Sequence, residues 1–315
     1  MRTLLALAAG LLSATLFPAP AQAVDETTIG FGLPRGAAVV VPHVEGTTLV
    51  DGDLRIPLDA DYAFYVGRSG PSYVVETGHS DGSHNRIVLV GRDGTATRLA
   101  RAYDFLPGLS DDGQRMVTTR LRRDRTSTLT VRSASTGAPL AQRTFRGDLA
   151  GLDVDGDRVL LGGSRRTLLW RTGPDTLEVV SRDQGYRGDL GSDVVAVFDR
   201  STRTDEGACT RILRVSTRRL LTTLCDDLVL AFNADASRMV TTSRYLDGPI
   251  SVVRARTVAG RVLGQYRSTR SLAVGETRWE TTKRLLITLD GPHRSGTVRC
   301  SGTTCVLAGG PVRSS

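Results

Sequence analysis

Short runs in which apolar and polar residues alternate fill the chain from about residue 30 to 310, separated by clusters of Gly, Asp, Ser and Thr. Alternation with a period of two marks strands whose side chains point to opposite faces, and the intervening clusters mark hairpin turns. Val, Leu, Ile and Thr dominate the runs, as a pleated surface prefers. Past the N-terminal leader, no window longer than about ten residues sustains a helical period. The pattern predicts an all-β chain.

The strands also recur at a longer period. The word Arg115-Met116-Val117-Thr118-Thr119 is spelled again at Arg238 to Thr242, 123 residues later. Similar turn-plus-strand words lie around Val39, Val74, Val159, Val195 and Leu285. Steps between successive anchors are 35, 42, 43, 36, 44 and 46 residues, with a mean of 41. A hairpin follows each anchor, such as "STLTVRSASTGAPLAQRTF" after Met116 and "RTLLWRTGPDTLEVVS" after Val159. A sandwich would rarely repeat one pattern so often, and a β-helix uses shorter turns. Units of this length fit the four-stranded blades of a β-propeller, whose ring protects the sheet edges. Seven blades of about 41 residues are expected, with six or eight also compatible with the spacing. The duplicated word is expected to mark equivalent inner strands three blades apart.

Three words, "LSDDGQRMV", "LDVDGDRVL" and "FNADASRMV", each precede a hairpin. In these the chain resembles the secreted WD-repeat-like and Tol-type β-propellers of bacteria, over roughly Gly30 to Leu307. It departs from true WD repeats in having no Trp-Asp dipeptide. The resemblance implies a scaffold for binding and leaves the ligand open.

The N-terminus reads differently. Arg2 precedes the 14-residue apolar run "LLALAAGLLSATLF", and "APAQA" follows, with small residues at Ala21 and Ala23. This is the layout of a signal peptide, residues 1–23, cleaved between Ala23 and Val24. The run is shorter than the roughly 20 residues that span a bilayer. Residues 24–315 are then expected as one secreted or extracytoplasmic propeller domain, monomeric and without a transmembrane anchor. Export makes disulfides the expected state of four cysteines. Cys209 and Cys225 lie eight residues either side of Thr217, in the turn of one hairpin, and Cys300 and Cys305 enclose a tight turn. Cross-strand neighbours can meet disulfide geometry, so the predicted pairs are 209–225 and 300–305.

Charge and chemistry add less. The formal net charge is +8, and Lys283 is the only lysine. The arginines are scattered among acids, with one dense cluster at Arg120 to Arg125, and no nucleic-acid-binding motif accompanies them. Nucleic acid is therefore not expected as a partner. Neither H-E-x-x-H, G-x-S-x-G nor a glycine-rich phosphate loop occurs. His79 and His84 flank Asp81 in a probable-turn sequence, "HSDGSH". "DVDGD" gives Asp153, Asp155 and Asp157 the oxygen-rich spacing of a calcium loop, but position twelve is Ser164 rather than the bidentate glutamate. A tight turn is the main reading there and calcium the alternative; no other cofactor is expected. Trp170 reads as core, whereas Trp279, flanked by Arg278 and Glu280, is the candidate binding residue. The expected function is a non-catalytic scaffold for protein or cell-surface interactions, with no catalytic residue identified. Alternatives are a hydrolase or lyase with its site at the central channel, and a basic binder of anionic cell-wall polymers.

Overall fold

The computed structural model describes residues 25–81, 85–102, 105–204, 207–245 and 248–313. The expected leader at 1–23 and His84 lie outside them. The described residues contain 29 strands in seven sheets, arranged as the blades of a propeller. Blade 1 has three short strands, His43–Glu45, Thr48–Asp51 and Leu54–Pro57. Blades 2 to 7 are four-stranded meanders over residues 62–101, 108–146, 149–181, 184–224, 227–268 and 273–307. Each hairpin predicted from the sequence forms the last two strands of a blade.

The duplicated word does fall three blades apart, in blades 3 and 6, but in the second strand of each rather than the innermost. The reason is burial. A second strand is covered on both faces by neighbouring sheets, so it reads as a continuous buried run instead of alternating. Met116 faces blade 2 and Val117 faces blade 4; Met239 faces blade 5 and Val240 faces blade 7. All four are 0–1% exposed. The following threonines are buried too: Thr119 accepts a hydrogen bond from the Gly151 amide of the next blade at 2.8 Å, and Thr242 donates to the Val252 carbonyl at 2.9 Å.

Such a cluster joins each pair from blades 1 and 2 to blades 6 and 7. Between blades 3 and 4, Phe145 meets Trp170 edge-on, with centroids 5.9 Å apart. Trp170 is therefore core, and its indole donates to Asp175 at 2.9 Å. The disulfides join Cys209 to Cys225 and Cys300 to Cys305, each within one blade.

Blade 1 departs from the repeat. Its last strand ends where blade 2 begins, so counting directions back makes His43–Glu45 antiparallel to the first strands of the other blades. It is a second strand without a first. The expected anchor at Val39 belongs to no strand. It lies in a strap, residues 30–42, that runs in from blade 6 and crosses blade 7. Upstream, Glu26–Ile29 adds a parallel strand to the outer edge of blade 6. The strap then makes a parallel bridge between Arg35 and Leu307 at the edge of blade 7, and Val39 packs on Leu286 and Ala308. A Cβ on Gly36 would lie 2.4 Å from Val306, so only glycine fits that crossing.

Candidate functional site

Strand polarity sorts the turns onto two faces. Turns after first and third strands share one face, here the lower. Turns after second strands, with the connections between blades, share the upper.

The upper face of blades 3 and 4 is lined by arginine. Arg122, Arg123 and Arg125 occupy one turn, Arg165 and Arg166 the next, Arg146 ends an outer strand, and Arg182 begins a connection. All seven are exposed, and none makes a side-chain hydrogen bond or ion pair among the described residues. Three acids stand with them. Asp124 is held below its usual pKa first by the Thr126 hydroxyl, which it binds at 2.6 Å; Asp148 is the second, and Asp183, beside Arg182, is paired with Arg200 and Arg211. A cleft of about 250 Å³ opens among Arg146, Asp148, Arg165 and Arg166. The Gly147 amide donates to the Arg125 carbonyl at 2.7 Å, which ties the first turn to the connection that follows Arg146. Nearer the axis on the same face, Phe64, Phe105, Leu106 and Tyr245 are exposed by 42–54%.

The lower face of blades 3 to 5 mixes aspartates with arginines, among them Arg115, Arg158, Arg214, Arg218 and Arg219. Asp111, Asp112, Asp155, Asp157, Asp189 and Asp193 lie in or beside its turns. Burial, followed by the charges of Asp189, Asp155 and Asp112, raises the pKa of Asp111. Burial pushes Asp153 up to about 7, against the Leu190 amide that donates to it at 2.6 Å. Of the three candidate calcium ligands, Asp155 is paired with Arg158, and Asp157 stands in a hairpin turn made possible by Gly156 at φ +55°. The turn that the sequence suggested is there. Among the described residues, no group of three or more His, Cys, Asp or Glu side chains could hold a metal ion.

The candidates around Trp279 converge on the strap. Glu280 is buried, which pushes its pKa up, but Arg299 binds it bidentately at 2.5 and 2.6 Å and Val40 N–H donates at 3.2 Å; the net shift is downward. Arg299 also donates to the carbonyls of Ala37 and Ala38 at 2.7 and 2.8 Å. Arg278 donates to the Pro42 carbonyl and lies 5.1 Å from the centre of the Tyr65 ring. Trp279 packs against the core between blades 6 and 7, its indole N–H buried and without a partner. The trio thus surrounds the seam that closes the ring. Proximity to the strap was not legible, because the contacts are some 240 residues apart in sequence.

At the axis, a cavity of about 350 Å³ runs between Phe64 and Tyr65 of blade 2, Leu230 of blade 6, Ile250, and Arg187 of blade 5. Its described lining includes one carboxylate, Glu276, and no histidine. The missing first strand of blade 1 leaves a second cavity, about 280 Å³, that shares Phe64 and Glu276 with the first. The channel is therefore open on one side. Sequence reasoning did not single out Arg187; the irregular pairing around it, where the register slips between Gly185 and Arg187, left no periodic signal.

No family model and no curated protein matches the chain. Solved structures do. The β-propeller domain of the trilobed protease from Pyrococcus furiosus, described as having an open velcro topology, superposes with a TM-score of 0.51 at 14% identity, over 79% of this chain and 84% of that one. Hsv2 from Kluyveromyces lactis gives 0.53 at 11% identity, over 83% and 90%. A chain of the mitotic checkpoint complex gives 0.52 at 12%, over 89% and 86%. At such identities the likeness shows the fold alone. The protein is a seven-bladed β-propeller, a fold found both in a protease and in a checkpoint assembly, so the fold does not determine the activity.

Proposed function

We propose that this chain is an exported, non-catalytic scaffold that engages a protein or cell-surface partner outside the membrane through its upper face. One observation carries the reading. Among the described residues, seven arginines without ion-pair partners crowd the upper face of blades 3 and 4, and aromatic rings are exposed elsewhere on that face. Arginine and aromatic residues are enriched where proteins bind partners. A patch of one sign concentrates ligands of the other. The same patch favours the more specific reading of a binder of anionic cell-wall polymer.

The two disulfides are compatible with export, and no helix among the described residues is long and apolar enough to cross a membrane. Cleavage after Ala23 is checked by N-terminal sequencing of protein recovered from the culture medium. Binding is tested on immobilised polyphosphate across a salt series. The wild type should elute at higher salt than the triple variant R146Q/R165Q/R166Q, whose affinity should fall at least tenfold with a shallower salt dependence. Equal retention of the two would remove the arginine face from the reading. Trp279 is a separate proposed contact: Trp279→Phe should leave folding intact, and an unchanged partner affinity would release it from any binding role.

A further inference from the structure

Arg187 is set apart from the other arginines. It follows the register slip in the first strand of blade 5 and lines the axial cavity of about 350 Å³. Its side chain is exposed to the channel, and the protein around it lowers its pKa through partial desolvation. No carboxylate pairs with it among the described residues. Glu276 lines the same cavity but stands 3.9 Å from Arg278. The same wall includes Leu106, Leu230 and Ile250, with the rings of Phe64 and Tyr65 and the hydroxyl of Thr277. A cation that faces a partly apolar cavity without a counter-charge attracts an anion whose apolar part can lie against that wall.

We propose that the axial cavity is a binding site for a small organic carboxylate, whose head group pairs with Arg187 while its apolar body lies against Phe64, Leu230 and Ile250. The guanidinium fork matches a carboxylate in bidentate geometry. One positive charge balances a monoanion, whereas a phosphate dianion would bring a second charge into the cavity with no cation to meet it. The hydroxyls of Tyr65 and Thr277 can donate further hydrogen bonds without adding charge. The volume lies at the lower end of the range for small-molecule sites. The side opening left by blade 1 supplies a path in.

The test uses the mature, oxidised protein with benzoate and hexanoate as probes, and with benzyl alcohol, hexanol and sodium chloride at matched concentration as controls. Calorimetric titration and thermal melts should show saturable binding and a raised Tm for both carboxylates and for none of the controls. Arg187→Met should weaken benzoate binding at least tenfold, while the unliganded variant melts close to wild type because the exposed guanidinium pairs with no carboxylate among the described residues. Leu106→Glu, at an exposed position on the cavity wall, gives a second variant should the first fail to fold; its added carboxylate should also abolish binding. The triple variant of the arginine face should bind benzoate as wild type does, which separates this site from the upper-face reading. Stabilisation by chloride alone, equal binding of benzoate by Arg187→Met, or no saturable binding by either probe would each overturn the proposal.

Discussion

Single side chains carry most of the electrostatic character of this propeller. Asp153 is the clearest case, buried beside Asp189 and Asp111 and pushed up to about 7 from an ordinary 3.8. Between those two values the folded chain holds a proton that the unfolded chain has released, so stability is highest below pH 3.8 as far as this group is concerned, falls as pH rises, and levels off above about 7. Glu76, buried with one carboxylate oxygen unpaired and raised to about 7, acts in the same sense. Asp153→Asn keeps an oxygen for the Leu190 amide and cannot ionise. At pH 8 it should be more stable than wild type, on the order of 1–2 kcal/mol, and the difference should shrink toward pH 4; paired urea melts at the two pH values measure it. A residue-scale preference is equally plain in "NADASR", where Ala236 occupies the left-handed region at φ 47°. The matching turn of blade 3 has Gly113 there, at φ 65°. Ala236→Gly should raise stability by about 0.5–1 kcal/mol, read from the shift of the thermal midpoint.

Among the elements, the strap is the one without a counterpart in the repeat. It stands in the chain where the first strand of blade 1 would be, and one ion pair, beside a β-bridge and apolar packing, holds it to blade 7. The Glu280 side chain is fully buried, and Arg299 joins it to the carbonyls of Ala37 and Ala38. Removing one partner of a buried pair leaves the other charge uncompensated. Arg299→Met should therefore cost about 3–5 kcal/mol in chemical denaturation, whereas an exposed pair such as Arg171 with Glu178, broken at its arginine, should cost only a small fraction of that. The hairpins, by contrast, were legible element by element. Each carries its own alternation and turn residues, and the 209–225 and 300–305 disulfides follow from hairpin register alone.

For the molecule as a whole, the ring gathers the arginine-bearing turns of blades 3 and 4 onto one face, while the turns of the other mix aspartates with arginines. Nothing in the linear order announces this, since arginine-bearing turns and aspartate-bearing turns alternate along the chain. The ring also makes the termini interdependent: the Glu26–Ile29 strand and the strap tie blades 6 and 7 to blade 1. Deleting residues 25–35 should uncover the edge of blade 6 and loosen the closure. The expected outcome is a melting midpoint lowered by several degrees and a broader transition, followed by circular dichroism; an unchanged melt would mean that the blade interfaces alone close the ring.

The all-β class, the seven repeats and the disulfide pairing were determined by the sequence itself, because strand periodicity, turn chemistry and hairpin register are local and each blade repeats them. Only the tertiary structure decided that the duplicated word sits in a second strand, that blade 1 lacks its first, and that Arg278 and Glu280 attend a seam. It also gathered the unpaired arginines on one face and left Arg187 alone in the channel. These depend on which distant segments become neighbours when the ring closes, and on which charges lose water there, neither of which a local pattern can encode.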